Sequence, residues 1–423
     1  MRESETGRIA GGGILHRRAF LAGAVLVPGA LAGAAGGARG EGLADAQWSR
    51  QPGAPPRVYG TPAPEESGVA RIPYTDTPGI APGAGVSFTP LHQLRGRITP
   101  AGLHFERHHA GVPAVDPEQH RLIIHGLVRE PLSFGVNDLL RYPLVSRLYF
   151  LECSGNSLVN ALPDPQQLSC GVIHGLASCS EWTGVPLALL LDEAGIALDA
   201  AWGIAEGADG ARMNRSIPLA KLREDALVAL YQNGERLRPE QGYPLRLFLP
   251  GWEGNTSVKW LRRIELARGP VHSREETARY SDLLASGRAV QFTFEMGVKS
   301  VITHPSPGAE LGAPGVYEIS GLAWSGAGRV ARVEVSADGG ASWADAELEG
   351  PVLPRCFVRF RIPWRWDGGP ALLASRASDE RGAQQPERAA WLRRYSPGGE
   401  KYHYNAVQRW RIEPGGAVRN TFA

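Results

Sequence analysis

Cysteine is scarce in this chain: 423 residues hold four, at positions 153, 170, 179 and 356. That is too sparse for a small disulfide scaffold. No Cys-x-x-Cys-His occurs, so the sequence offers no c-type haem attachment. An excess of one charge is missing too. Forty-five Lys and Arg against 43 Asp and Glu leave a formal net charge of +2, which gives no bulk electrostatic case for nucleic-acid binding. The apolar run from Phe20 to Ala35 is too short and too rich in small residues for a membrane span. No internal repeat points to a solenoid.

What is abundant is glycine and proline, 53 and 33 residues, about a fifth of the chain. So many breakers favour turns and short strands over long helices. A hydrophobic share of 43% with 21% charged residues fits a soluble globular protein, and the length allows two domains plus an export segment.

Arg17-Arg18 stands directly before that apolar run, and small residues follow it. This order describes a secretory leader, and the arginine pair followed by Ala-Phe-Leu resembles the twin-arginine signal. That route carries folded proteins, so residues 1–46 are expected to send the folded chain to the periplasm. Cleavage after Ala38 and after Ala46 are both compatible with the sequence. Residues 47–85 are rich in Pro and Gly and are expected to run extended.

From 86 to 290 the pattern is mixed. Leu122–Val128, Arg147–Cys153 and Pro244–Pro250 read as short buried strands. Pro186–Gly195 reads as a helix, with Leu187, Leu190, Leu191 and Ala194 on one face. From 291 to 415 alternation takes over. Ala331, Val333 and Val335 oppose Arg332, Glu334 and Ser336, and Asp338-Gly339 suits a turn. Cys356, Val358, Phe360 and Ile362 repeat the alternation. The expected class is α+β, a mixed α/β domain followed by an immunoglobulin-like β-sandwich.

Cys153 ends an apolar strand and is followed by Ser154-Gly155-Asn156. A thiol leaving a strand into such a turn suits a soft metal, a nucleophilic role or plain burial. Around it lie Arg107 and His109, Trp182-Thr183-Gly184, Ser216-Ile217-Pro218-Leu219, and Pro250-Gly251 ahead of Val258-Lys259-Trp260-Leu261. In this order the five segments resemble the sulfite oxidase family of molybdopterin enzymes.

The resemblance implies a molybdenum–molybdopterin cofactor with Cys153 as the metal's protein ligand. Arg107, His109, Arg246 and Lys259 would hold the pterin phosphate and ring edge, arginine as a bidentate fork and lysine as a point charge. Asp209 matches an acid that bonds the pterin. Tyr280, in REETARYSDLL, matches the active-site tyrosine, and Arg394 is compared with a substrate arginine from the second domain. The sandwich resembles the family's dimerisation domain, so a homodimer or heterotetramer is expected. With no haem motif in the chain, a separate c-type cytochrome is the implied electron acceptor.

Several basic positions of the family are absent. Ser157 and Leu158 follow the Cys-x-Gly-Asn turn, Glu181 precedes Trp182, and Gly254-Asn255-Thr256 precedes Ser257-Val258-Lys259. Each lost charge-assisted contact would cost roughly 1.5–3 kcal/mol of small-anion binding. Such a pocket suits sulfur delivered on a carrier protein better than free sulfite. These departures, with REET…Tyr280 and YHYNAVQRW, are most similar to the molybdenum subunits of sulfane dehydrogenases. A sulfite dehydrogenase, a reductase working in the opposite direction and a metal-free scaffold are the competing readings. The nine-residue spacing of Cys170 and Cys179 leaves their pairing open.

Overall fold

The computed structural model describes residues 9–16, 50–74, 83–399 and 401–422. The expected leader run and its arginine pair lie outside these residues. Two antiparallel or mixed sheets build the first domain. One carries Val145–Glu152, Ala177–Pro186, Leu227–Gln232 and Glu235–Arg236, with Arg246–Phe248 on Leu227–Gln232. The other runs Leu132–Phe134, Leu122–Gly126, Leu261–Ala267, Trp202–Gly207 and Asn214–Pro218, and its single parallel pair is Leu261–Ala267 with Leu122–Gly126. A third, small sheet joins Ile72–Tyr74, Gly85–Phe88 and Glu106–His108. Part of the stretch expected to run as a linker is therefore a strand, and it props the segment that bears Arg107.

The helix Leu187–Ala194 buries Leu187, Leu190, Leu191 and Ala194 in the core between the two large sheets. Its spacing delivers a continuous apolar stripe, and each buried leucine contributes about 1.5–3 kcal/mol. Pro186 ends the preceding strand and caps the helix, where its missing N–H costs nothing.

The second domain is a sandwich. Lys299–His304, Gly315–Trp324, Val358–Trp366 and Glu347–Leu348 form one sheet. Ala344–Asp345, Val330–Ser336, Ala371–Asp379, Arg409–Ile412 and Val418–Thr421 form the other. Cys356, Val358, Phe360 and Ile362 all face the core, as alternation requires. The expected Ala331–Val333–Val335 face differs at its start. The register slips between Val330 and Arg332, so Val330 is buried and Ala331 is exposed. A bulge adds one residue and flips the side chains on one side of it.

The two domains share a core. Phe150, Ile173, Cys170 and Cys179 of the first pack in one apolar cluster with Trp324, Phe357 and Val301 of the second. Arg359, although on the sandwich, is buried and donates to the Gly96 carbonyl of the first domain at 2.7 Å. Residues upstream of the arginine pair also dock here. The Trp364 indole donates to the Gly12 carbonyl at 2.7 Å, and Ile14 is fully buried. Cys170 lies 3.9 Å from the Ile302 carbonyl, whereas the Cys179 sulfur sits 3.5 Å from that of Cys356. The structure thus brings Cys179 to Cys356 and not to Cys170.

Candidate active site

The strand Val145–Glu152 ends at Cys153, which is half-buried. The turn after it is held by Asn156, whose side chain donates to Glu152 at 2.9 Å and accepts from the Leu176 amide at 3.1 Å. Ser157 takes a left-handed φ of 68°, an uncommon backbone for a residue with a side chain. Its hydroxyl is gripped by His174 and by the Lys299 ammonium, each at 2.7 Å. The turn is thereby fixed from both domains, and the Cys153 thiol faces a cavity of about 660 Å³, open solvent included. Burial pushes that thiol up from its ordinary range, against a smaller lowering by Arg107.

Of the eight residues singled out from the sequence, seven line this one cavity: Arg107, His109, Cys153, Asp209, Arg246, Lys259 and Tyr280. Their electrostatics are unusual. Arg246 is 2% exposed and donates to the Gln241 and Ser257 carbonyls at 3.2 and 2.7 Å. It makes no ion pair among the described residues, and burial lowers its pKa to about 9. Its guanidinium also stacks 5.3 Å from the ring of Trp182. The Lys259 ammonium donates to the carbonyls of Arg107 and Glu240 at 3.1 and 3.0 Å and meets His108 Nδ1 at 2.8 Å. Its three protons are thus engaged. Burial, then Arg246, lowers its pKa well below the usual lysine range.

His109 Nε2 lies 3.0 Å from the Tyr280 hydroxyl. Burial, aided by Arg107 and Lys259, lowers the histidine's pKa to about 4. The neutral ring therefore has one nitrogen free to accept the phenol proton. Tyr280 has a φ of 49°, which aims its ring back over the cavity. Asp209 is 3% exposed and accepts from the Met213 amide at 3.2 Å.

Some expectations about the missing basic residues need correction. Glu181 is exposed and its amide donates to Asn233, so it does not line the cavity. Leu158 packs against the cluster of Trp391, Tyr395 and Tyr404. Thr256 is buried and donates to the Glu253 carbonyl at 2.7 Å. Arg394 is exposed, with its guanidinium 5.6 Å from the Tyr395 ring, and also lies off the cavity wall. Of the six positions concerned, Gly254 and Asn255 line the cavity.

Three groups escaped the sequence reading. His108 joins Lys259 to Glu106, 2.8 Å from each. Arg215 is fully buried behind the wall, bonded to Asn255, 3.6 Å from Glu276 and 5.3 Å from the Tyr280 ring centroid. Its Nε and Nη2 have no hydrogen-bond partner among the described residues. A cation thus stands directly behind the cavity wall, against Asn255 and Tyr280. Third, His403 of the second domain donates its amide to the Ser154 carbonyl at 2.7 Å. Adjacency in RHH hinted at His108, but no spacing rule ties Arg215 or His403 to Cys153.

A soft thiol at the mouth of a cationic cavity, beside a two-sheet sandwich, defines a molybdopterin-binding oxidoreductase. Residues 109–275 match the oxidoreductase molybdopterin binding domain, and residues 290–408 match the Mo-co oxidoreductase dimerisation domain. Sulfite oxidase of Gallus gallus is 33% identical over 314 residues, covering 67% of this chain and 68% of that one. Mitochondrial sulfite oxidase of Mus musculus is 33% identical over 322 residues, 69% of this chain and 58% of that one. Nitrate reductase [NAD(P)H] of Hordeum vulgare is 32% identical over 343 residues, 71% of this chain but 38% of that one. The chain therefore spans little more than half of the mouse protein and under half of the barley one. The crystal structure of the sulfane dehydrogenase SoxCD from Paracoccus pantotrophus is similar with a TM-score of 0.85 and 43% identity, covering 88% of this chain and 96% of that one. The chain belongs to the sulfite oxidase family.

Proposed function

We propose that this chain is the molybdenum-bearing subunit of a periplasmic sulfane dehydrogenase, acting on sulfur bound to a cysteine of a carrier protein and passing electrons singly to a c-type cytochrome. The observation that carries the reading is the convergence of seven residues, Cys153 among them, on one cavity. The 43% identity to a sulfane dehydrogenase structure supports the branch.

The residues fit a molybdenum–molybdopterin group. Arg246 is a buried cation with only carbonyl partners, as expected of a seat for a phosphate that brings its own negative charge. No cluster of three or more His, Cys, Asp or Glu among the described residues is placed to hold a metal. Cys153 would thus be the chain's contribution to the metal, with other donors coming from the pterin dithiolene and oxo groups. When bound, this group supplies oxygen-atom transfer to sulfur and takes up two electrons.

The protein's own part is positioning and proton handling. Arg246 and Arg107 would receive the phosphate, and Lys259 would add positive charge while fixing the Arg107 backbone. Asp209 would accept from the pterin ring. Tyr280 would donate a hydrogen bond towards the reacting oxygen and exchange its proton with neutral His109.

Steady-state kinetics test the branch. Turnover with carrier-bound sulfur and a c-type cytochrome should exceed turnover with free sulfite by roughly tenfold or more, one lost charge-assisted contact being worth about that factor. Efficient sulfite oxidation without a carrier would make it a sulfite dehydrogenase. Cys153→Ser should keep the fold and lose turnover, because a hydroxyl is a poor ligand for a soft site. Metal-free protein from a cofactor-competent host would leave the scaffold reading standing.

A further inference from the structure

We propose that Cys179 and Cys356 form a disulfide that staples the catalytic domain to the sandwich. Cys179 lies in the strand Ala177–Pro186, and Cys356 directly precedes the strand Val358–Trp366. Their sulfurs are 3.5 Å apart, and the two residues are 0% and 1% exposed. A disulfide needs about 2.05 Å, so the closing movement is on the order of 1.5 Å. The surroundings are already tied together. The Phe150 amide donates to the Arg355 carbonyl at 2.9 Å, one residue from each sulfur's position in the seam. The Thr99 amide and hydroxyl hold the Cys179 backbone at 2.7 and 3.1 Å. The other two cysteines lack a thiol neighbour and serve as internal controls: Cys170 faces a carbonyl and Cys153 faces the cavity.

The inference rests on the exported location proposed above, since disulfides persist in oxidising compartments. The oxidant is a donor disulfide, a low-molecular-weight or protein one, acting by exchange. The Cys356 thiol is held low by the hydrogen bond from Cys179, which makes it the better first nucleophile. It attacks the donor disulfide, forming a mixed disulfide and releasing one donor thiol. Cys179 then attacks the Cys356 sulfur and releases the second donor thiol. Two electrons and two protons pass to the donor. Burial of both sulfurs means that exchange waits on a parting of the seam, so the bond once made is shielded from reduction.

The test is trapping by mass. Full-length protein is incubated in oxidised glutathione, then denatured in iodoacetamide without reductant and digested. The expected result is label on Cys153 and Cys170, and the Cys179 and Cys356 peptides joined and two hydrogens lighter than the free pair. Cys356→Ala should release Cys179 to the label and remove the fall in melting temperature that reductant causes in the parent. Label on all four cysteines, or a Cys170–Cys179 peptide, overturns the proposal. The same digest on protein taken from its native host separates the two premises. A pair joined in glutathione but free in the native protein would overturn the exported location and leave the pairing standing.

Discussion

The pair Glu152–Lys299 joins the residue before the candidate metal ligand to the first strand of the sandwich, and cutting it should be costly. Both side chains are 1% exposed and 2.9 Å apart. Glu152 also accepts from Trp324 at 2.7 Å and from Asn156 at 2.9 Å, while Lys299 donates to Ser157 at 2.7 Å. Burial lowers the Lys299 pKa and the carboxylate opposes that shift, so the ammonium depends on its partner. Lys299→Met removes two charge-assisted bonds and strands a carboxylate in the core, at a cost of about 3–5 kcal/mol. Glu152→Gln strands the ammonium at a similar cost. The double variant should lose much less than the sum, with a coupling of about 2–3 kcal/mol. Guanidinium unfolding of the four proteins measures this, with molybdenum content read in parallel, since Asn156 and the Cys153 turn hang on Glu152. Additive losses, or single losses below about 1 kcal/mol, would mean that the pair behaves as a solvated surface bridge and that the seam does not hold the turn.

Tyr280→Phe deletes the bond to His109 and should lower kcat by roughly a hundredfold while leaving metal content unchanged, measured by rapid-mixing assay and metal analysis. Arg215→Met should weaken inhibition by sulfate by roughly tenfold or more, and Arg215→Lys should restore most of it; equal inhibition in both would reduce Arg215 to a packing residue. Glu253 is buried and its pKa is raised to about 7 from an ordinary 4.5. A raised folded pKa gives stability that is full below 4.5 and is lost as pH rises through 7. Glu253→Gln should therefore flatten the stability profile between those values, by at most about 3 kcal/mol in difference denaturation curves.

Much of the candidate site was legible through resemblance rather than local chemistry. Cys153 leaving an apolar strand, and the charges at Arg107, Arg246 and Lys259, leave plain burial or solvated charge open when taken singly; the order of the five family-like segments picked them out, and all four line the cavity. The sandwich was legible from period-two alternation until the bulge after Val330, where one added residue reverses the pattern without altering composition. Glu181 misled because register with a motif fixes order along the chain, not direction, and its strand points that side chain to solvent. Arg215 was invisible for another reason. Its meaning comes from Asn255, Glu276 and Tyr280, each 40 or more residues away, and from burial that a lone charged residue in the short strand Asn214–Pro218 does not advertise.

The same long-range logic bears on what the second domain is for. Its name in related proteins is a dimerisation domain, yet within one chain it already reaches the candidate metal ligand. Lys299 and Trp324 hold Glu152, and Lys299 holds Ser157. The His403 amide holds Ser154, and the His403 ring accepts from the Gly297 amide at 2.7 Å. Three of the residues flanking Cys153 thus take a hydrogen bond from the sandwich. A thiolate ligand tolerates little positional drift, because a site loosened by about 1 Å loses preorganisation. Any selection for a rigid Cys153 therefore acts on the sandwich even in a monomer, and a subunit interface formed by that domain would bear on the metal's seat through Lys299 and His403.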